Sequence, residues 1–186
     1  MHTELETFLA THDVVATESA SWRGGQMQLT INLYMTTDPP PDNLVTSARA
    51  LIVTDDQVLV MTNPAGEHIL PGGRREDGEP PLVTLQREVL EETGLAIPDG
   101  PQLAVLHYHH ETPKPAIYPY PYPDFLNLVY LIQLPAVTEV VVSDTYELEG
   151  AFVPVAELTA DRLPPTQLHL LGRISQTKQT RQPLAR

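Results

Sequence analysis

The chain has 186 residues, of which 41% are hydrophobic, and this is enough for one domain with a continuous core. Its formal net charge of −13 disfavours a nucleic-acid polymer as partner, because such binding needs many Lys and Arg side chains at phosphates. The sequence contains no cysteine, which excludes disulfides, a cysteine nucleophile and a thiolate zinc site.

The N-terminal part has few structural signals. The pattern from Leu5 to Ala10 predicts a short helix, and the alternation from Met27 to Met35 predicts a strand whose partner the sequence does not identify. Prolines at positions 39–41 break regular structure. We therefore interpret residues 1–43 as an N-terminal extension that precedes a domain at residues 44–175.

The domain begins with a predicted hairpin and a glycine loop. Stretches from Thr46 to Thr54 and from Val58 to Thr62 flank Asp55-Asp56-Gln57 and predict two strands. A later apolar stretch ends in Leu70-Pro71-Gly72-Gly73 and enters a loop that runs to about Gly78. Adjacent glycines allow the backbone to approach a ligand or metal ion closely.

An acidic helix follows this loop. Glu88, Glu91 and Glu92 are spaced i, i+3 and i+4, so their carboxylates share one helix face. Such a cluster disfavours its own ionisation unless a cation lies among it, and carboxylate oxygens suit Mg²⁺ or Mn²⁺ rather than Zn²⁺. The alternative is a solvated acidic face. The helix itself is predicted by Pro80 and Pro81 at its start, Gly94 at its end and the apolar residues Leu82, Leu85, Val89 and Leu90.

Residues 73–95 resemble the Nudix box, whose pattern is G-x5-E-x7-R-E-U-x-E-E-x-G-U with U an aliphatic residue. Residues 152–158 are similar to the family's common strand-to-helix ending, in which an aromatic residue is followed by proline and Glu-Leu. The resemblance covers about residues 44–160 and implies an α/β/α sandwich with a mixed β-sheet. The fixed box positions that match are Gly73, Glu79, Arg87, Glu88, Val89, Glu91, Glu92, Gly94 and Leu95.

The resemblance also implies a magnesium-dependent hydrolase that cleaves the diphosphate linkage of a nucleoside diphosphate joined to another group. It implies metal ligands at Glu88, Glu91 and Glu92, and a backbone carbonyl at Gly72 or Gly73. Metal-activated water would attack phosphorus, with Glu88 or Glu91 doubling as the base.

Two further box residues have an implied orienting role. The family pattern pairs Glu79 with Arg87 in a salt bridge that positions the catalytic helix. A plain surface ion pair is the alternative reading, and it would contribute only about 0–1 kcal/mol.

Other candidates lie outside the box. Nudix enzymes often recruit another glutamate as base or ligand, and the acidic stretch of Asp144, Glu147 and Glu149 lies in the corresponding region, although it could be an exposed acidic loop. Candidate phosphate contacts are Arg49, Arg74 and Arg75, the latter two being loop residues that could equally face solvent.

The remaining elements complete an α/β pattern of a mixed sheet with helices on its faces. Strands are predicted from Gln102 to Tyr108, from Phe125 to Gln133 and from Thr138 to Val142. Helices are predicted from Pro154 to Leu158 and from Thr166 to Ser175. We expect a frayed polar tail at residues 176–186.

Two further segments lie outside the box. The alternation of Tyr118, Tyr120 and Tyr122 with prolines predicts a stiff loop that either stacks on a substrate base or forms a structural or dimer contact, making a homodimer one expectation. His107 and His109 share a strand face, but two histidines without a full ligand set are more often ordinary strand residues.

Residues 1–6 lack the features of a signal peptide, and no apolar run approaches membrane-spanning length. We therefore expect a cytoplasmic protein that binds no membrane and acts on a small nucleotide-type substrate with Mg²⁺, or Mn²⁺ in its place. The competing hypothesis is a catalytically silent Nudix-like module that senses nucleotides.

Overall fold

The computed structural model describes residues 3–143 and 145–181. In chain order, the elements are helix α1 (Thr3–Ala10), strands β1 (Val14–Trp22), β2 (Met27–Tyr34), β3 (Val45–Val53), β4 (Gln57–Asn63), β5 (Gly66–His68) and β6 (Gly72–Arg74), helix α2 (Pro81–Thr93), strands β7 (Gln102–His110), β8 (Asp124–Gln133) and β9 (Glu149–Pro154), and helix α3 (Pro165–Arg181). Single 3-10 turns lie at Asp42–Leu44 and Val155–Glu157.

The nine strands form one mixed sheet. Its main path runs β1-β2-β7-β8-β3-β4-β5, while β6 pairs with β3 and β9 pairs with β4. Strands β3 and β8 are parallel, and the other pairs are antiparallel. β3 and β8 are buried along most of their length, as expected for a parallel pair that is covered on both faces.

Helices cover both faces of this sheet. Leu5 of α1 and Leu85 and Val89 of α2 belong to one buried cluster, whereas Leu170 and Leu171 of α3 belong to a second. The predicted α/β/α sandwich with a mixed sheet is therefore confirmed.

The N-terminal segment extends the sheet of the domain. The predicted strand at residues 27–35 is β2, and its partners are β1 and β7, with Leu33 opposite Leu106 and Ile31 opposite Tyr108. Residues before position 44 thus share the sheet with those after it. The division at residue 44 stays a prediction.

The strand predicted from Thr138 to Val142 is wrong. This segment is irregular, and the amide of Val141 donates to the carbonyl of Thr93 at the end of α2 rather than to a strand. Val140 and Val142 pack against the core, which accounts for the strand-like alternation in the sequence.

Other predicted elements differ from the structure in extent. β3 and β4 pair as a hairpin only at Val53 and Val58, and farther along β3 its residues 47–49 pair with β6 instead. The helix predicted at residues 154–158 is a single 3-10 turn. α3 continues through the first part of the predicted tail to Arg181, and residues 182–186 lie outside the described part of the chain. Among the described residues, no helix is long and apolar enough to cross a lipid bilayer.

Candidate active site

Helix α2 is defined by local sequence at both ends. Pro81 occupies its first position, and the amide of Gly94, at φ 70°, donates to the carbonyl of Leu90 to close the last turn. Burial of Leu85 and Val89 in the core fixes the rotation of the helix. The glutamates at 88, 91 and 92 consequently lie off the core-facing side.

The glycine loop lies directly against this helix. A side chain at Gly73 would overlap the carboxylate of Glu88, and one at Gly72 would overlap the backbone carbonyl of Ala48. Gly72 also has φ +122°, a conformation that disfavours other residues. Because neither residue has a side chain, the loop backbone can lie directly against the Glu88 carboxylate.

Glu92 connects to the same loop. Its Oε2 accepts a hydrogen bond from the Gly72 amide at 2.7 Å. The pKa of Glu92 is raised to about 7, mainly by burial and to a smaller extent by the nearby Glu147, while the Gly72 amide, Arg49 and His68 oppose the shift. A buried carboxylate of this kind fits a position that a cation compensates.

The predicted pairing of Glu79 with Arg87 is present. Arg87 Nη2 lies 3.0 Å from Glu79 Oε2 and also donates to the carbonyl of Arg74 at 3.1 Å. Thr84 Oγ1 donates to the same Glu79 oxygen at 2.7 Å. The Arg87 hydrogen bond outweighs burial and lowers the pKa of Glu79 to about 2.

Arg87 also reaches the acidic cluster, with Nη1 2.7 Å from Glu88 Oε1 and 3.5 Å from Glu91 Oε2. The guanidinium therefore joins loop and helix. The orienting role itself remains a prediction.

A cavity of about 470 Å³ opens beside this cluster. Gly72, Gly73 and Glu92 form one part of its wall, and Arg49 lies at the same end. The Arg49 guanidinium donates to the carbonyl of Gly72, so it also holds the loop.

The two glutamates that were proposed outside the box occupy different environments. Glu147 is buried, lines the cavity and lies 3.2 Å from His68 Nε2 and from Asn63 Nδ2. Glu149 is exposed at the start of β9 and does not line the cavity. Asp144 lies outside the described residues.

Another part of the cavity lining comes from elements that the sequence did not connect to the site. Glu18 and Trp22 of β1, Tyr108 of β7 and Tyr146 line the same cavity. Trp22 is 38% exposed, and its ring lies 5.8 Å from that of Tyr108. Only the sheet order brings β1 to this place, so no local motif could have identified these residues.

The other predicted substrate contacts lie elsewhere. Arg74 does not line the large cavity; its guanidinium lies 4.5 Å from the Tyr120 ring centroid, and both residues line a second cavity of about 300 Å³. Arg75 lines that second cavity and pairs with Asp42 at 2.8 Å.

The tyrosine-proline loop packs on its own sheet. Tyr118 Oη lies 2.5 Å from His110 Nε2, and Tyr122 Oη donates to the carbonyl of Thr112 at 3.0 Å. Tyr120 stacks on Phe125 with ring centroids 5.7 Å apart. All three tyrosines are half-buried, and their roles in base stacking or in a dimer contact remain predictions.

The profile described as NUDIX domain matches residues 44–174. The comparison with curated proteins gave no match.

Solved structures share the fold. The Bacillus subtilis pyrophosphohydrolase BsRppH is 14% identical with a TM-score of 0.56, covering 88% of this chain and 98% of its own. The NUDIX domain of Shewanella oneidensis NrtR, complexed with ADP ribose, is 15% identical with a TM-score of 0.54, covering 72% and 88%. The MutT NUDIX hydrolase of Burkholderia pseudomallei is 21% identical with a TM-score of 0.52, covering 69% and 95%.

A mixed sheet between helices, with a glycine loop against an acidic helix, defines a Nudix-type hydrolase fold. The chain belongs to the Nudix hydrolase family, whose members are generally metal-dependent pyrophosphohydrolases.

Proposed function

We propose that the protein is a magnesium-dependent hydrolase that cleaves the diphosphate linkage of a nucleoside diphosphate joined to another group. The observation that carries this proposal is the contact of the Gly72-Gly73 backbone with Glu88 and Glu92 at the edge of a large cavity. Glu91, one turn along, keeps an exposed carboxylate beside them.

The donor set suits a hard divalent cation. Glu88, Glu91, Glu92 and the Gly73 carbonyl are all oxygen donors, which Mg²⁺ prefers and Mn²⁺ accepts. When bound, such an ion neutralises diphosphate charge and lowers the pKa of water near phosphorus.

The chain's own residues would bind and orient the substrate. Arg49 is the one Arg or Lys among the described residues that line the cavity. We assign its guanidinium a contact with a phosphate oxygen of the substrate. Trp22 and Tyr108 form an aromatic wall on which a base can stack. Glu88 or Glu91 would accept the proton of the attacking water.

Glu147 is a better candidate than Glu149 for an additional base or ligand, because it is the one that lines the cavity beside Glu92. We expect Glu147→Gln to lower turnover at least tenfold and Glu149→Gln to leave it within about twofold. Initial rates for the two matched variants at saturating Mg²⁺ would decide. A larger loss in Glu149→Gln would reverse the assignment.

The experiment that tests the function is a substrate panel. Nucleoside triphosphates with altered bases, ADP-ribose, other nucleotide sugars and dinucleotides are incubated with the protein and Mg²⁺, and the released phosphates are identified. We expect a nucleoside monophosphate or diphosphate among the products, and loss of product with a chelator.

The nucleotide-sensing alternative gives a different result. A sensor would bind members of the panel in calorimetry and release no product at any Mg²⁺ concentration. Cytoplasmic residence and a homodimer remain expectations, and light scattering of the purified protein tests the second.

A further inference from the structure

Three metal-ligating side chains meet on strands β7 and β8, away from the cavity. His107 and His109 lie two residues apart on β7, and Asp124 lies directly opposite His109 on β8. The two histidines lie on the same face of β7 as Val105, which packs in the core cluster that contains residues of α2. Leu106 and Tyr108 lie on the other face of β7 and line the cavity. The cluster shares no residue with the acidic site on α2.

The donor atoms converge on one point. Asp124 Oδ1 lies 2.8 Å from His107 Nε2 and 2.7 Å from His109 Nδ1. The three donor atoms all lie within 4.8 Å of one another. Two histidines at i and i+2 on a strand, with a carboxylate on its neighbour, supply three protein ligands to one side of an ion.

Burial adds a charge argument. His107 and Asp124 are 6% and 5% exposed. Among the described residues, the ion pairs found for Asp124 are those with the imidazoles of His107 and His109. A carboxylate in this buried place requires a positive partner, and either an imidazolium or a bound cation can supply it.

Accessibility differs across the cluster. The His109 side chain is 41% exposed, so an ion can reach the site from solvent and keep a water ligand. Imidazole nitrogens with a carboxylate suit Zn²⁺ and related transition metals, whereas Mg²⁺ prefers oxygen donors alone.

We propose that His107, His109 and Asp124 form a second metal site that binds one Zn²⁺ and cross-links strands β7 and β8. The site is separate from the proposed hydrolase centre and does not depend on its activity.

Zn²⁺ binding measured in excess Mg²⁺ tests the proposal. Mg²⁺ then competes with Zn²⁺ for the acidic site on α2, so the Zn²⁺ that still binds reports on the histidine site. The chelator-stripped protein is titrated with Zn²⁺ in calorimetry, and with Co²⁺ while the visible absorption is recorded. We expect the protein to bind one equivalent of Zn²⁺. Bound Co²⁺ should give a visible absorption band typical of an ion with few ligands. His109→Gln and Asp124→Asn should each weaken Zn²⁺ binding at least tenfold.

Two controls separate this site from others. His12→Gln removes another histidine, which lies 3.1 Å from Asp38. Within the described part of the chain no third ligand joins this pair, so the change should leave Zn²⁺ binding unchanged. The double variant Glu91→Gln/Glu92→Gln should also keep the Zn²⁺ equivalent. Absence of Zn²⁺ binding in the wild-type protein, or equal affinity in His109→Gln, would mean that the cluster is held by hydrogen bonds alone and would overturn the proposal.

Discussion

Gly73 shows how one missing side chain shapes the acidic site. A methyl group there would overlap the Glu88 carboxylate, so Gly73→Ala should displace Glu88 and lower Mg²⁺-dependent turnover at least tenfold. The apparent Mg²⁺ affinity, measured from initial rates, should fall with it.

Gly172 offers a matched control for this substitution. A methyl group there meets no atom within 4 Å, so Gly172→Ala should keep full activity and stabilise α3 by about 0.5–1 kcal/mol. Wild-type Mg²⁺ affinity in Gly73→Ala would show that Glu88 is not held as described.

Glu79 makes a pH-dependent contribution to stability. Its folded pKa of about 2 lies below the ordinary value of 4.5, so ionised Glu79 stabilises the fold above about pH 4.5, and this contribution is lost as the pH falls toward 2. The melting temperature of the wild-type protein should therefore drop more steeply than that of Glu79→Gln over this interval. Parallel pH profiles would indicate that the pair with Arg87 adds nothing to stability.

Strand β1 contributes Trp22 to the cavity lining, and stacking of this ring on a substrate base can be tested. If its ring stacks on the base, Trp22→Ala should raise KM by roughly fivefold to 150-fold, the equivalent of about 1–3 kcal/mol per stacked base. Val14→Ala changes an exposed residue of the same strand and should leave KM unchanged. A loss of thermal stability in Trp22→Ala without a change in KM would assign Trp22 to packing on Tyr108 and Phe125 alone.

The elements differ in how far the sequence could predict them. Helix α2 was predictable because its caps and apolar spacing are local, and the same spacing put three glutamates on one face. The segment at residues 138–142 has the alternation of a strand, but it is irregular and its Val141 amide donates to the end of α2. Strand β1 alternates between exposed and half-buried positions, so it has little apolar signal of its own.

The residues of the candidate site also differ in how far the sequence could predict them. Glu79 and Arg87 lie eight positions apart and could be paired from the family pattern alone. Glu147, His68 and Trp22 come from three separate segments of the chain, and their meeting at one cavity depends on sheet order, which one sequence does not determine. Asp124 joins the two histidines of β7 for the same reason.

At the scale of the whole molecule, the cavity lies where strands β1 and β2, the glycine loop, α2 and the start of α3 come together. Glu18 and Thr166 connect two of these parts, since Glu18 Oε2 accepts from the Thr166 hydroxyl at 2.8 Å. Glu92 of the acidic cluster and the aromatic residues Trp22 and Tyr108 line this one cavity, as the proposed substrate with a diphosphate and a base requires.

Turnover of the carboxylate variants tests the central claim most directly. Mg²⁺-dependent product release is measured for the wild-type protein, Glu91→Gln and Glu92→Gln, using the best substrate of the panel, with melting temperatures as the check on folding. Each variant should lose turnover by orders of magnitude while the fold is retained, because the change removes charge from a metal ligand and leaves packing intact. Near-wild-type Mg²⁺-dependent rates in both variants would contradict the assignment of the α2 carboxylates as the catalytic metal site.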